Sequence, residues 1–213
     1  MSAQYIHVKT HTDKPCPKCK GAKHLPNGDG SWRRCDCIRD ALYRAACQKA
    51  GVAAIYIDVP HESLKPDALF RKLALSYSQN MVWLQGKLTS LSVRRAVAWL
   101  QRLYVNEGKH VRTYHLTDLI DAWFDRERKT LVRDDIKHAD LLVLVVTNPL
   151  SHKVGAQAME DVYAVRSASK GRTLFVSSDD IGNMPTRYGH EVAGVFRSRN
   201  VPLVSFRGGK VKP

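Results

Sequence analysis

Three apolar runs, MVWLQ at 81–85, LLVLVV at 141–146 and TLFVS at 173–177, constrain this chain more than any other feature. A run without polar alternation belongs to a strand buried on both faces, as in a parallel sheet covered by helices. Helical periodicity fills the intervals. Val93, Val97, Leu100, Leu103 and Tyr104 recur at helical spacing over 92–106, with Ser92 as the cap. The turn Asn106-Glu107-Gly108 leads to a strand at 111–116, and Thr117 caps a helix bearing Leu119, Ile120, Trp123 and Phe124. Helices at 130–138, 154–168 and 185–197 and a last strand at 201–206 complete the series. Such alternation predicts an α/β domain with a parallel sheet and crossover helices.

The first strand enters Gly86, a short loop and a helix, the layout of a phosphate-binding loop. A working loop follows G-x-x-x-x-G-K-[ST], because amides wrap the phosphates, a lysine reaches them and a hydroxyl holds magnesium. Counting from Gly86, Leu91 stands at the second glycine, Ser92 at the lysine and Val93 at the hydroxyl. The strand beginning Leu141-Leu142-Val143-Leu144 continues with Val145 and Val146, where magnesium-binding acids would stand. Lys87 comes too early to serve as the phosphate lysine. Asp134 and Asp135 read as solvated helix surface, and Asp179 and Asp180 as caps of the following turn. The expectation is a nucleotide site that has lost its chemistry, with neither ATP binding nor ATPase activity. The alternative is an α/β unit unrelated to phosphate loops.

Cys16-x2-Cys19, fifteen residues and Cys35-x-Cys37 give two thiolate pairs on tight turns. Zinc takes four such ligands in a tetrahedron, and the spacing is one residue short of the double CxxC pattern. Asn27-Gly28-Asp29-Gly30 reads as a hairpin tip between the pairs. Residues 15–37 hold little that could form an apolar core, so a metal is needed to order them. Unpaired or redox-active thiols are the alternative, and His24 is a substitute ligand. Four protein ligands leave no open position, so the zinc is expected to be structural. Cys47, on a predicted helix over 38–49, reads as a packing residue. The expected organisation is a zinc module with its following helix at 1–50, a linker at 51–80 and the main domain at 81–213.

A formal net charge of +14 favours nucleic acid or an acidic protein as partner. Trp32, Arg33 and Arg34, between the cysteine pairs, have the composition to stack on and neutralise a strand. No apolar run approaches the ~18 residues of a membrane span. The first fourteen residues lack the apolar stretch of a secretory signal. Five cysteines without such a signal fit a reducing compartment, so a cytoplasmic location is expected.

The order of these features resembles the helicase-loader branch of the AAA+ ATPases, the DnaC-like and IstB-like proteins. CPKCKGAKHLPNGDGSWRRCDC is similar to the zinc modules that precede many phage and bacterial loaders. The segment from Met81 to Trp123 resembles the family's phosphate loop, first helix and second strand, and ADLLVLVVTN occupies the magnesium-binding strand. TLFVSSDD resembles the sensor strand, with Ser178 at the usual asparagine, and VFRSRNVPLVSFRGG resembles the family's ending. Arg197 falls within one residue of the arginine finger. The resemblance covers nearly all the chain and implies a module that grips a replicative hexameric helicase. It also implies an AAA+ body that contacts single-stranded DNA, here without ATP-driven assembly, with a phage or mobile-element origin suiting the stripped site. Arg199 and Arg207 join Arg197 as candidate DNA contacts.

The expected function is a non-hydrolysing replication accessory protein that binds the helicase and helps load it onto DNA. Two alternatives share its features: a loader mimic that blocks replication, and a stand-alone zinc-containing DNA-binding protein.

Overall fold

The computed structural model describes residues 15–75, 80–87, 89–146, 152–178, 183, 194 and 203–205. A short antiparallel hairpin, β1 (His24–Pro26) and β2 (Trp32–Arg34), leads into α1 (Asp36–Lys49). Two short 3-10 turns and α2 (Ala68–Leu75) follow, before the alternating series begins. That series is β3 (Met81–Gln85), α3 (Leu91–Asn106), β4 (Val111–His115), α4 (Leu116–Trp123), α5 (Arg126–His138), β5 (Leu141–Val146), α6 (His152–Ser167), β6 (Arg172–Ser177) and β7 (Leu203–Ser205).

Strands β3 to β7 form one sheet in the order β4-β5-β6-β3-β7, with every described pairing parallel. This is the P-loop, AAA+-like architecture expected from the sequence, preceded by a small cysteine cluster. Alternate residues of the apolar strands feed two cores. Val82, Leu84, Val143 and Val176 meet α1, α2 and α3 on one face, where Phe70, Ala96 and Leu100 fill the space. Trp83, Leu144, Val146 and Phe175 meet α4, α5 and α6 on the other, against Leu119, Ile136 and Met159. Trp83 and Phe175 are paired across β3 and β6 and stack with ring centroids 5.7 Å apart.

Several boundaries differ from the sequence reading. Helix α3 starts at Leu91 with Ser90 at the cap, so Ser92 lies within the first turn. Helix α4 starts at Leu116 with His115 at the cap, which places Thr117 inside it. Helix α5 begins at Arg126, earlier than expected, because the Asp125 carboxylate accepts the amides of Glu127 (3.0 Å) and Arg128 (3.1 Å). Helix α1 extends forward to Asp36, which puts Cys37 in its first turn. The expected helix at 185–197 lies, apart from Gly194, outside the described residues, as do Asp179 and Asp180.

The segment expected to be a linker is packed. Val52, Tyr56, Ile57, Leu64, Phe70 and Ala74 are all buried in the core shared with α3. Buried Arg102 of α3 ties this segment down by donating to the Tyr56 carbonyl (2.8 Å), the Val59 carbonyl and the Tyr43 hydroxyl. Residues 36–75 thus form a layer of the α/β body, and among the described residues the cysteine hairpin stands outside its cores. Cys47 is fully buried in that layer, as expected for a packing residue.

Candidate functional site

Two places on this fold carry the residues singled out from the sequence. The first is the cysteine hairpin. Its tip is closed by backbone bonds from Asn27 to the Ser31 carbonyl (2.7 Å) and from Gly30 to the Asn27 carbonyl (3.2 Å). The Asp29 carboxylate accepts from the amide and hydroxyl of Ser31. Gly21 adopts φ +91° and Gly30 φ +83°, the left-handed conformation that such turns require. Cys16 and Cys19 precede the hairpin, Cys35 follows it at the cap of α1, and Cys37 sits on the helix.

These elements bring the four thiols together, with all sulfur atoms within 4.8 Å of one another. The Sγ atoms of Cys16 and Cys35 lie 3.8 Å apart and those of Cys19 and Cys37 3.6 Å apart. A disulfide needs about 2.05 Å. Four sulfurs at about 2.3 Å from a tetrahedral ion lie about 3.8 Å from one another. The spacing fits a metal cage, and all five described cysteines are free thiols. His24 is not among the clustered groups.

Electrostatics at the cluster favour a cation. The amides of Cys19 and Lys18 lower the Cys16 thiol. Burial opposes ionisation of Cys19, but the amides of Lys23 and Gly21, with the thiols of Cys37 and Cys35, bring it down to about 7. Cys37 is pushed up to about 12 by burial and by neighbouring thiols that ionise first. Four thiols this close resist joint ionisation until a positive ion joins them. The cluster can therefore hold one metal ion, with no protein-free coordination position.

The second place is the carboxyl edge of the sheet, where open α/β sheets bind ligands near a change in strand order. Here β3 lies between β6 and β7, and its loop runs from Gly86 to Ser90. The Gly86 amide is spent on the Ser177 carbonyl (2.8 Å) and the Ser90 amide on the Lys87 carbonyl (2.8 Å). Leu91, Ser92 and Val93 form the first turn of α3. Leu91 and Ser92 are exposed, while Val93 is buried in the core. Lys87 points from the loop as an exposed side chain. Across the sheet, Ser205, Gln85, Ser177 and Val146 stand in register. Gln85, Ser177 and Val146 are buried, and Val145 is half-buried. This row carries no charge.

Asp135 departs from the solvated position expected for it. It accepts from the Arg112 guanidinium and from the Tyr114 hydroxyl (2.7 Å), joining α5 to the edge strand β4. A paired basic residue on β4, two positions from a tyrosine of the same face, was the available sequence signal. Trp32, Arg33 and Arg34 make up β2 and are all exposed. Arg197, Arg199 and Arg207 lie outside the described residues.

No family model matches the chain, and no curated protein sequence matches it. Solved structures do. The crystal structure of the DnaC helicase loader aligns with a TM-score of 0.58 at 15% identity, covering 73% of this chain and all of that one. The DnaI crystal structure aligns at 0.51 and 12% identity, covering 70% of this chain and 93% of DnaI. AMPPCP-bound DnaA from Aquifex aeolicus aligns at 0.54 and 14% identity, covering 73% of this chain and 48% of DnaA. Among the described residues, no helix is long and apolar enough to cross a membrane. The chain is a distant structural match to the AAA+ fold of the DnaA, DnaC and DnaI proteins.

Proposed function

We propose that this protein is a non-hydrolysing replication accessory protein that docks on a replicative hexameric helicase and helps place it on DNA. The observation that carries the reading is the pairing of a loader-like fold with an uncharged carboxyl edge. The DnaC helicase loader shares the fold over its whole length. At the position where that architecture would handle a nucleotide, this chain offers Leu91, Ser92 and Val93 and the valines 145 and 146. Two loop amides are already bonded to protein carbonyls. An acid installed at Val146, which is only 1% exposed, would be a buried charge without a partner. ATP is thus not expected to bind, and association with the helicase rests on surface complementarity.

Zinc is the ion that best suits the Cys16, Cys19, Cys35 and Cys37 cage, because an all-thiolate tetrahedron matches its preference and structural sites are closed. In this role it orders the hairpin and fixes the start of α1. The test is co-purification of the metal-loaded chain with replicative hexameric helicases, followed by loading assays on DNA. A stable complex and stimulated loading without ATP bound to this chain support the reading. Absence of any helicase complex refutes it, and a complex that only blocks unwinding assigns the protein to inhibition.

A further inference from the structure

We propose that the exposed face of the β1–β2 hairpin is a binding site for single-stranded nucleic acid, with Trp32 stacking on a base and Arg34 engaging the adjacent phosphate. The site goes beyond helicase docking and does not depend on it.

The register of the hairpin defines the surface. Pro26 pairs with Trp32, Leu25 with Arg33 and His24 with Arg34. Because side chains alternate along a strand, Trp32 and Arg34 share one face with Pro26 and His24, and Arg33 projects from the other. All four residues of the first face are exposed, and Trp32 keeps 67% of its surface open. An indole left this open on a two-stranded ribbon has no place in either core of the protein. Successive residues on one strand face are about 6.7 Å apart. That step brings a guanidinium to the phosphate beside a stacked base, the combination used by sequence-tolerant single-strand binders.

Charge supports the same occupant. Asp36 engages Lys18 at 3.0 Å and Arg39 at 3.3 Å, so those two cations are taken. Arg33, Arg34, Lys20 and Lys23 have no carboxylate within ion-pair distance among the described residues. Around Trp32 the face offers only Pro26 as an apolar neighbour, too little for the anchoring pocket of a protein interface. An open ring with the unpaired guanidinium of Arg34 two residues along the same face suits a base and its adjacent phosphate.

The experiment uses the full metal-loaded chain and a fluorescein-labelled oligo-dT of roughly 15 nucleotides, a length spanning common single-strand sites. Metal content and thermal midpoint are checked for every variant. W32A is expected to weaken binding roughly 10-fold, the scale of one lost stack. W32F is expected to retain much of the affinity while losing most of the oligo-induced quenching of tryptophan emission, since Trp83 and Trp99 are buried and Trp123 is half-buried with its indole N–H bonded to Asp161. R34A is expected to flatten the logarithmic salt dependence by about 0.7, one phosphate contact on a single strand. Unchanged affinity in W32A, or equal competition by duplex DNA, overturns the proposal. Loss of helicase co-purification in W32A with oligo-dT binding intact overturns it in favour of protein docking. Loss of oligo-dT binding with the helicase complex intact supports it and leaves the docking reading standing.

Discussion

Arg166 has no exposed surface and gives every arm of its guanidinium to the protein. It donates to the carbonyls of Ile136 (2.8 Å), Ala139 (2.8 Å) and Arg172 (2.7 Å) and to the Thr173 hydroxyl (2.8 Å). Burial lowers its pKa to about 10, so it stays charged at neutral pH. The side chain thereby serves the end of α5 and the start of β6 at once. R166A withdraws four buried hydrogen bonds, and urea unfolding is expected to show a loss of about 3 kcal/mol. R166K keeps the charge but not the planar fork, and is expected to fall between R166A and the parent. Asp135 gives a pH prediction. Burial raises its pKa, but the hydrogen bonds from Arg112 and Tyr114 and the charges of Arg112 and His110 outweigh that and hold it below the usual carboxylate value. A depressed carboxyl contributes stability that is fully present above its unfolded value of about 3.9 and lost as pH falls through the folded one. D135N is therefore expected to flatten the acid limb of a stability–pH profile, with chemical denaturation between pH 3 and 6 as the readout. The Arg166 role was not legible in the sequence, because a lone arginine on a predicted helix looks solvated until its partners are placed, and for Asp135 the Arg112 and Tyr114 pattern on β4 marked a polar face without naming its partner.

At the scale of elements, the apolar strands and the cysteine spacing were readable because each depends on a local pattern. Period and length suffice for β3, β5 and β6, and thiol pairs on tight turns suffice for the cage. The layer formed by residues 51–75 was not readable as such. Its prolines break periodicity, and its apolar side chains are spaced irregularly because 3-10 turns, and not a long helix, deliver them to the core. The joint between α1 and β4 depends on Gly51, at φ +80°, where an added Cβ would stand 2.7 Å from the Thr113 Cβ. G51A is expected to cost about 2 kcal/mol from the left-handed backbone and this close approach. The hairpin has a different support. Chelation of the proposed metal, or C16S, is expected to open residues 15–37 to trypsin at Lys20, Lys23, Arg33 and Arg34. The α/β body, whose two cores contain none of the four clustered cysteines, is expected to keep its cooperative unfolding. Simultaneous collapse of both parts would show that the cage also supports α1.

For the whole molecule, the fold and the chemistry carry separate signals. The fold is legible in strand order and burial, and it matches DnaC, DnaI and DnaA at 12–15% identity. The nucleotide chemistry depends on a few side chains at one edge of the sheet, and there the chain presents Gln85, Ser177 and Val146 in a neutral row. The proposed partners would be met by its exterior, which carries a net charge of +14 and an exposed basic hairpin. The most direct measurement is a titration of the metal-loaded protein with magnesium ATP, read by calorimetry and by phosphate release. The account predicts no saturable binding up to millimolar nucleotide and no turnover above background. Saturation at micromolar ATP with sustained phosphate release would contradict it.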